Sequence, residues 1–421
     1  MFKKNILKNN LRIITVPYEN TEAVTVLVLV KTGSKYEEKE INGISHFLEH
    51  MLFKGTKKRP NTTLIAETLD RVGGIYNAFT SEEYTGFFAK VGSSHLSLAL
   101  DWISDIFLNS KLEEKEIEKE KGVIIEEMNM YVDHPSSYVQ ILWRELLYKD
   151  QPAGRNILGT KETITNINRE KLLKYIKSQY VASNTIVCVA GKFNENKIVE
   201  EIGKYFSKIR NTLPFEKPKV IENQKYPQCL LKERKTDQTH LCLGVRGYNL
   251  FHPYKYAQDV LSTILGGMMS SRLFIKVRER LGLAYYINTD SYSDTDVGFL
   301  VTQAGIDSNN IEKAIKIILK EYKTMTERKV GERELKKVKD YIKGKLILSL
   351  ETSDSLASFY GFQEILEEKI LTPKQICDEI DKVTKDDILK ISRDIFRPSK
   401  LNLSLIGPFS DKNKFEKILK I

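Results

Sequence analysis

Two histidines and a glutamate fall within five residues, His46-Phe47-Leu48-Glu49-His50. Around them Ile44, Phe47, Leu48, Met51 and Leu52 recur at helical spacing, which predicts a helix over residues 41–53. Positions four apart on a helix share a face, one turn from each other. Both imidazoles can therefore reach one metal ion. Glu49 borders the same face, while Phe47 and Leu48 point elsewhere and can anchor the helix in a core. Zinc suits this arrangement: it takes imidazole nitrogen at about 2.0–2.1 Å, and its catalytic sites use three protein ligands and keep a fourth position open. Two histidines leave one ligand to be found. Glu49 is better used beside the open position, as general base toward a water polarised by the metal. The order His-x-x-Glu-His is the inverse of the commoner His-Glu-x-x-His zinc motif.

Composition narrows the setting. A chain of 421 residues suggests two to four domains, at roughly 100–200 residues each. With 41% hydrophobic and 29% charged residues it reads as globular. Cys188, Cys229, Cys242 and Cys377 are scattered, with no Cys-x-x-Cys pair, so no disulfide framework is expected. The longest apolar run, residues 23–30, stops at Lys31, far short of the ~20 residues of a membrane span. The basic start has no apolar segment behind it, so no secretory signal is read. The expectation is a cytoplasmic protein with buried thiols and no membrane partner. Net charge is 66 − 56 = +10, but acids and bases alternate, as in residues 113–121, which reads as a solvated helix face. Gly266-Gly267 is followed by Met268, not by a P-loop Lys, and no Gly-x-Gly-x-x-Gly follows a strand. Nucleotide and nucleic-acid partners are not expected.

The elements that must carry the motif read as follows. Strands are predicted at residues 11–16 and 23–31, then the motif helix, a second helix over 61–72 with Asn61 as N-cap, and paired strands at 75–80 and 84–91. Helices follow at 95–110, 113–131, 137–148 and 169–179, a strand at 185–190 and a helix at 194–208. Residues 213–228 hold Pro214, Pro218 and Pro227 without periodicity and read as a linker. Beyond it the order strand, helix, helix, strand, strand, helix returns over residues 238–326, as in 24–110. That repetition predicts two similar α+β lobes, residues 1–212 and 229–421.

The stretch Gly43-Ile44-Ser45-His46-Phe47-Leu48-Glu49-His50-Met51-Leu52-Phe53-Lys54-Gly55-Thr56 resembles the pitrilysin/insulinase family of inverzincin zinc peptidases, in particular its two-lobed bacterial branch related to the β subunit of mitochondrial processing peptidase. The resemblance implies that the third ligand is a Glu on a later helix. Here 76 residues lie between His50 and Glu127, and Glu120 stands seven residues before Glu127, close to two turns along the same face. The implied roles are metal ligand for Glu127 and support of a ligand or the base for Glu120, with Glu126 the rival of Glu127. The segment Asn77-Ala78-Phe79-Thr80 resembles the family's strand edge that pairs with an extended peptide. Arg278 and Tyr285 match its Arg-x6-Tyr element, which holds substrate carbonyls and donates to a developing oxyanion. Tyr286 is the rival of Tyr285, and strand alternation lets only one of them face a site. Residues 149–159 also look like the family and are read as a structural loop.

The resemblance further implies two lobes, each a mostly antiparallel sheet with helices on one face, and pairing of two chains into a closed four-lobed chamber. A homodimer is expected, since this chain has every element; a heterodimer with a related chain is the alternative. The implied function is hydrolysis of short or unfolded peptides bound as an added strand, with one Zn2+ per active subunit. The competing reading is a non-catalytic recognition or scaffold subunit of a processing-peptidase-like heterodimer. Such subunits usually lose a ligand or the base, whereas His46, Glu49, His50 and Glu127 are all present.

Overall fold

A computed structural model describes residues 2–421. Alternating β-branched segments form two sheets, and the chain divides into two units, each built on one of them. The first sheet contains β1 (Lys3–Ile6), β2 (Arg12–Pro17), β3 (Ala23–Val30), β4 (Ile75–Thr80), β5 (Thr85–Gly92) and β6 (Thr185–Gly191), in the order β1-β2-β6-β3-β5-β4. Only β2 and β6 pair in parallel. Strands β3 and β6 are buried almost throughout, as central strands covered on both faces must be. On one face Leu27, Leu29, Cys188 and Ala190 pack under Ala357, Tyr360 and Ile365 of the helix Ser353–Glu367. On the other lies the helix Leu96–Asn109, whose Phe107 meets Phe87 of β5 edge-on, ring centroids 6.1 Å apart.

The second sheet contains β7 (Gln228–Glu233), β8 (Gln238–Arg246), β9 (Ala284–Ser293), β10 (Gly298–Asp307) and β11 (Leu401–Gly407), in the order β7-β11-β8-β10-β9. Its only parallel pair is β7 with β11. Helices Lys255–Leu265, Ile311–Glu327 and Lys385–Ile395 share one core with Leu243, Val245, Leu300 and Leu403. The helix Pro135–Tyr148 packs Val139 and Trp143 on the opposite face, against Cys242, Val301 and Ile406.

The two α+β lobes and their mostly antiparallel sheets match expectation, and the repeated element order appears in both. Two features differ. Helices cover both faces of each sheet, because the inner strands carry apolar residues on both sides. The units are also discontinuous in sequence. The first runs to Met128, resumes at Arg155–Pro218 and takes in Leu348–Ile370; the second comprises Asn129–Gly154, Lys219–Ile347 and Leu371–Ile421. The change at Pro218 falls inside the expected linker, but each sheet receives one helix from the opposite half of the chain. Strands β1 and β11 carry no expectation from sequence, and β7 begins where the linker was to end. No helix is long and apolar enough to cross a membrane among the described residues. Cys188, Cys229 and Cys242 are buried free thiols, and Cys377 is half-buried.

Candidate metal centre and active site

The motif helix spans Ile44–Met51. Ile44, Phe47, Leu48 and Met51 are buried, which fixes its roll and turns His46, Glu49 and His50 toward a common side. The His46 and His50 rings lie 4.6 Å apart between centroids. A second helix, Glu114–Asp133, buries Ile117, Ile124 and Met128, and the same face carries Glu120 inward. Seven residues on, the Glu127 carboxylate meets both imidazoles: Oε2 is 3.6 Å from His46 Nε2 and 3.6 Å from His50 Nε2. Glu126 is exposed.

One ligand atom from each of His46, His50 and Glu127 lies within 4.8 Å of the others, the one such cluster of His, Cys, Asp and Glu among the described residues. The 3.6 Å separations are too long for hydrogen bonds. They are close to the roughly 3.4 Å between neighbouring ligand atoms of a tetrahedral ion bound at about 2.1 Å. The donor set, two imidazole nitrogens and a carboxylate oxygen, is also one that zinc accepts. The residues present therefore fit a zinc ion.

The surrounding groups set the protonation states. Glu120 Oε1 lies 2.8 Å from His50 Nδ1, and its Oε2 accepts from Lys54 Nζ at 2.6 Å. Burial pushes the Glu120 carboxyl up, but hydrogen bonds from His50 and Lys54 outweigh it and hold the group below its ordinary value. A carboxylate on Nδ1 selects the tautomer whose Nε2 lone pair points at Glu127. Burial, helped by the nearby His50, lowers the His46 pKa to about 3, so its ring is neutral and can ligate. Burial also raises the carboxyls of Glu127 and Glu49, each beside another acid.

Glu49 is aimed by a hydroxyl: Thr80 Oγ1, at the end of β4, donates to Glu49 Oε2 at 2.5 Å. Strand β4 is one edge of its sheet, so Asn77, Ala78, Phe79 and Thr80 lie on an edge strand beside Glu49. Asn77 Oδ1 accepts from the Ala78 N–H at 2.9 Å, and Phe79 packs its ring 5.9 Å from that of Phe362.

Two comparisons of sequence place the chain. A profile of the insulinase family, peptidase family M16, matches residues 12–161, and a profile of the peptidase M16 inactive domain matches residues 166–342. The chain belongs to peptidase family M16. The zinc protease YmxG of Bacillus subtilis, itself uncharacterized, is 38% identical over 97% of this chain and 98% of its own. An uncharacterized zinc protease of Streptomyces coelicolor is 32% identical over 97% of this chain and 90% of its own. The fold matches that of a Helicobacter pylori protease with TM-score 0.91 at 24% identity, over 97% of this chain and 100% of that one. A peptidase M16 inactive domain from Pseudomonas fluorescens superposes with TM-score 0.89 at 14% identity, over 98% and 99% of the two chains. This M16 chain is thus a metallopeptidase, and its first profile match contains His46, Glu49, His50, Glu120 and Glu127.

The second unit of the M16 chain carries Arg278 and Tyr285. Arg278 sits in a π-helical turn, Phe274–Arg280, its guanidinium 4.8 Å above the Phe274 ring. Tyr285, in β9, is 75% exposed, whereas Tyr286 turns inward and its hydroxyl lies 3.0 Å from His240 Nδ1. Three features of the site went unread in the sequence. Lys54 has no role in the sequence reading beyond the motif's flank. The sequence reading gives Thr80 a substrate contact, whereas its hydroxyl bonds to Glu49. Glu37, beside Glu38, carries no role in the sequence reading and is 2% exposed.

Proposed function

We propose that the chain is a zinc endopeptidase that cleaves short or unfolded peptides lying as an added strand along Asn77–Thr80, with one Zn2+ per active subunit held by His46, His50 and Glu127. The observation that carries this reading is the convergence of those three side chains beside Glu49, itself tethered to the edge strand by Thr80. When bound, zinc supplies Lewis acidity toward the scissile carbonyl and toward water. The chain's own groups do the rest. Strand β4 offers backbone N–H and C=O groups to the peptide and fixes its register. Glu49 takes the proton of the attacking water and passes it to the leaving nitrogen. Glu120 keeps His50 in the ligating tautomer. Arg278 and Tyr285, both on the surface of the second unit, are assigned to substrate: the guanidinium for peptide carbonyls, the phenol for the developing oxyanion. A cytoplasmic homodimer that encloses the peptide, each subunit bringing all of these groups, completes the reading.

The test compares wild type with Glu49→Gln on a quenched fluorescent peptide library, with zinc content measured for both. The variant should keep its zinc and lose about 10²–10⁴-fold in turnover. Equal turnover would remove Glu49 from the chemistry. Zinc-loaded wild type without turnover would leave a binding subunit.

A further inference from the structure

We infer that Glu37 is the positioning residue of the His helix: its buried carboxylate, set seven residues upstream, caps the helix and holds His46, Glu49 and His50 in place. The inference rests on the reading that this helix holds a metal, but the capping itself can be tested without one. The helix Ile44–Met51 leaves the N–H groups of Gly43, Ile44, Ser45 and His46 without an intrahelical acceptor, and its N-cap position is Gly43, which has no side chain to accept them. Glu37 takes over. Its Oε2 accepts from Gly43 N at 2.7 Å and from Asn42 Nδ2 at 2.9 Å, and its Oε1 accepts from Ser45 N at 2.9 Å. The negative charge also faces the positive end of the helix dipole, out of contact with water, where screening is weak.

The cap is itself fixed from outside the motif, at the Glu37 backbone and through Asn42. Arg155 Nη1 donates to the Glu37 carbonyl at 3.2 Å, and Asn42 Nδ2 also donates to the Asn156 carbonyl at 3.1 Å. Gly43 has φ of +95°, and a Cβ there would lie 2.6 Å from the Leu158 carbonyl oxygen. On the helix side, Ser45 Oγ and Thr32 Oγ1 each lie 2.7 Å from the Tyr175 hydroxyl. The loop at 155–159, a structural loop by sequence, is thus the outer wall of the cap. Freed at its N-terminal end, so short a helix would fray within one turn of His46, and both imidazoles come from it.

The experiment uses the full chain. Glu37→Gln keeps the size but turns one acceptor into a donor facing N–H groups. Val187→Ala, in the core of β6, serves as a destabilised reference. Hydrogen exchange of residues 43–51 is followed in metal-free protein, and zinc affinity is measured by competition with a chromophoric chelator. Glu37→Gln should speed exchange in 43–51 at least tenfold and weaken zinc binding about 10–100-fold, while Val187→Ala leaves both near wild type. If Glu37→Gln does not fold, Glu37→Asp, which keeps the charge but falls short by one methylene, is read in the same way. Unchanged exchange in 43–51 in a folded Glu37 variant overturns the inference. Faster exchange in a chain that binds no zinc even as wild type would uphold the cap and sink the metal reading alone.

Discussion

The Glu120 carboxylate sits 2.8 Å from His50 Nδ1 and 2.6 Å from Lys54 Nζ, so one buried acid fixes the ring of His50 and is itself held ionised by the histidine and by a lysine four residues beyond it. This is the usual relation of a carboxylate to a ligating imidazole: it fixes ring rotation and tautomer and makes Nε2 more basic.

Glu120→Gln should therefore keep the fold but weaken zinc binding by about 10–100-fold, read by chelator competition. Lys54→Met should act in the same direction and more weakly, since His50 still bonds to Glu120. If Glu120→Gln binds zinc as tightly as wild type, the carboxylate has no part in preparing His50.

Thr80→Val removes the hydroxyl that aims Glu49 while conserving volume. Zinc content should stay at the wild-type level and kcat should fall about tenfold or more. Thr80→Ser, which retains the donor, should recover most of it. A rise in KM with kcat unchanged would instead mark Thr80 as a substrate contact, the role its place on β4 suggested. Glu49 accepts the Thr80 bond on one oxygen, which leaves the other for the water.

The chemistry was legible because it is local. His46, Glu49 and His50 sit on one helical turn, and Glu120 and Glu127 lie two turns apart on a second helix, so periodicity aligns each set; that the two sets belong together was implied only by the family resemblance. Partners across the fold were not legible. Glu37 lies in the run Tyr36-Glu37-Glu38-Lys39-Glu40, whose charges look solvated, and only tertiary packing buries one of them. The helix Ser353–Glu367 has apolar residues on several sides, and no local rule says that it belongs to a sheet formed 160 residues earlier and beyond. Periodicity specifies an element and its faces; it does not specify the neighbour.

That exchange of helices has a measurable consequence. A fragment ending at Pro218 lacks Ser353–Glu367 and leaves Ile14, Leu27, Leu29, Ile186 and Cys188 without cover. A contiguous apolar face of this kind drives association. The fragment should be insoluble or bind a hydrophobic dye strongly. Adding a peptide of residues 348–370 should suppress dye binding, through the apolar contacts and the Arg12–Glu364 pair at 3.2 Å. A soluble, monomeric, dye-silent fragment would mean that the helix is dispensable to its sheet.

Asp259, in the helix Lys255–Leu265, provides a test of electrostatics far in sequence from His46, His50 and Glu127. Burial raises its pKa from 3.8 to about 6, against the opposing effects of a Ser291 hydrogen bond and Lys255. The folded state thus holds this proton more tightly than the unfolded chain. By linkage, the group lowers stability as pH rises from about 4 to about 6, and the full penalty is present above that window. Asp259→Asn should consequently stabilise the protein at pH 7.5, by up to about 3 kcal/mol, and hardly at all near pH 4. Thermal melts of both proteins across pH 4–8 give the difference directly. A constant offset would show that Asp259 is ionised at its ordinary pKa in the fold, and a loss of stability at pH 7.5 would show that its bonds as a carboxylate outweigh its burial.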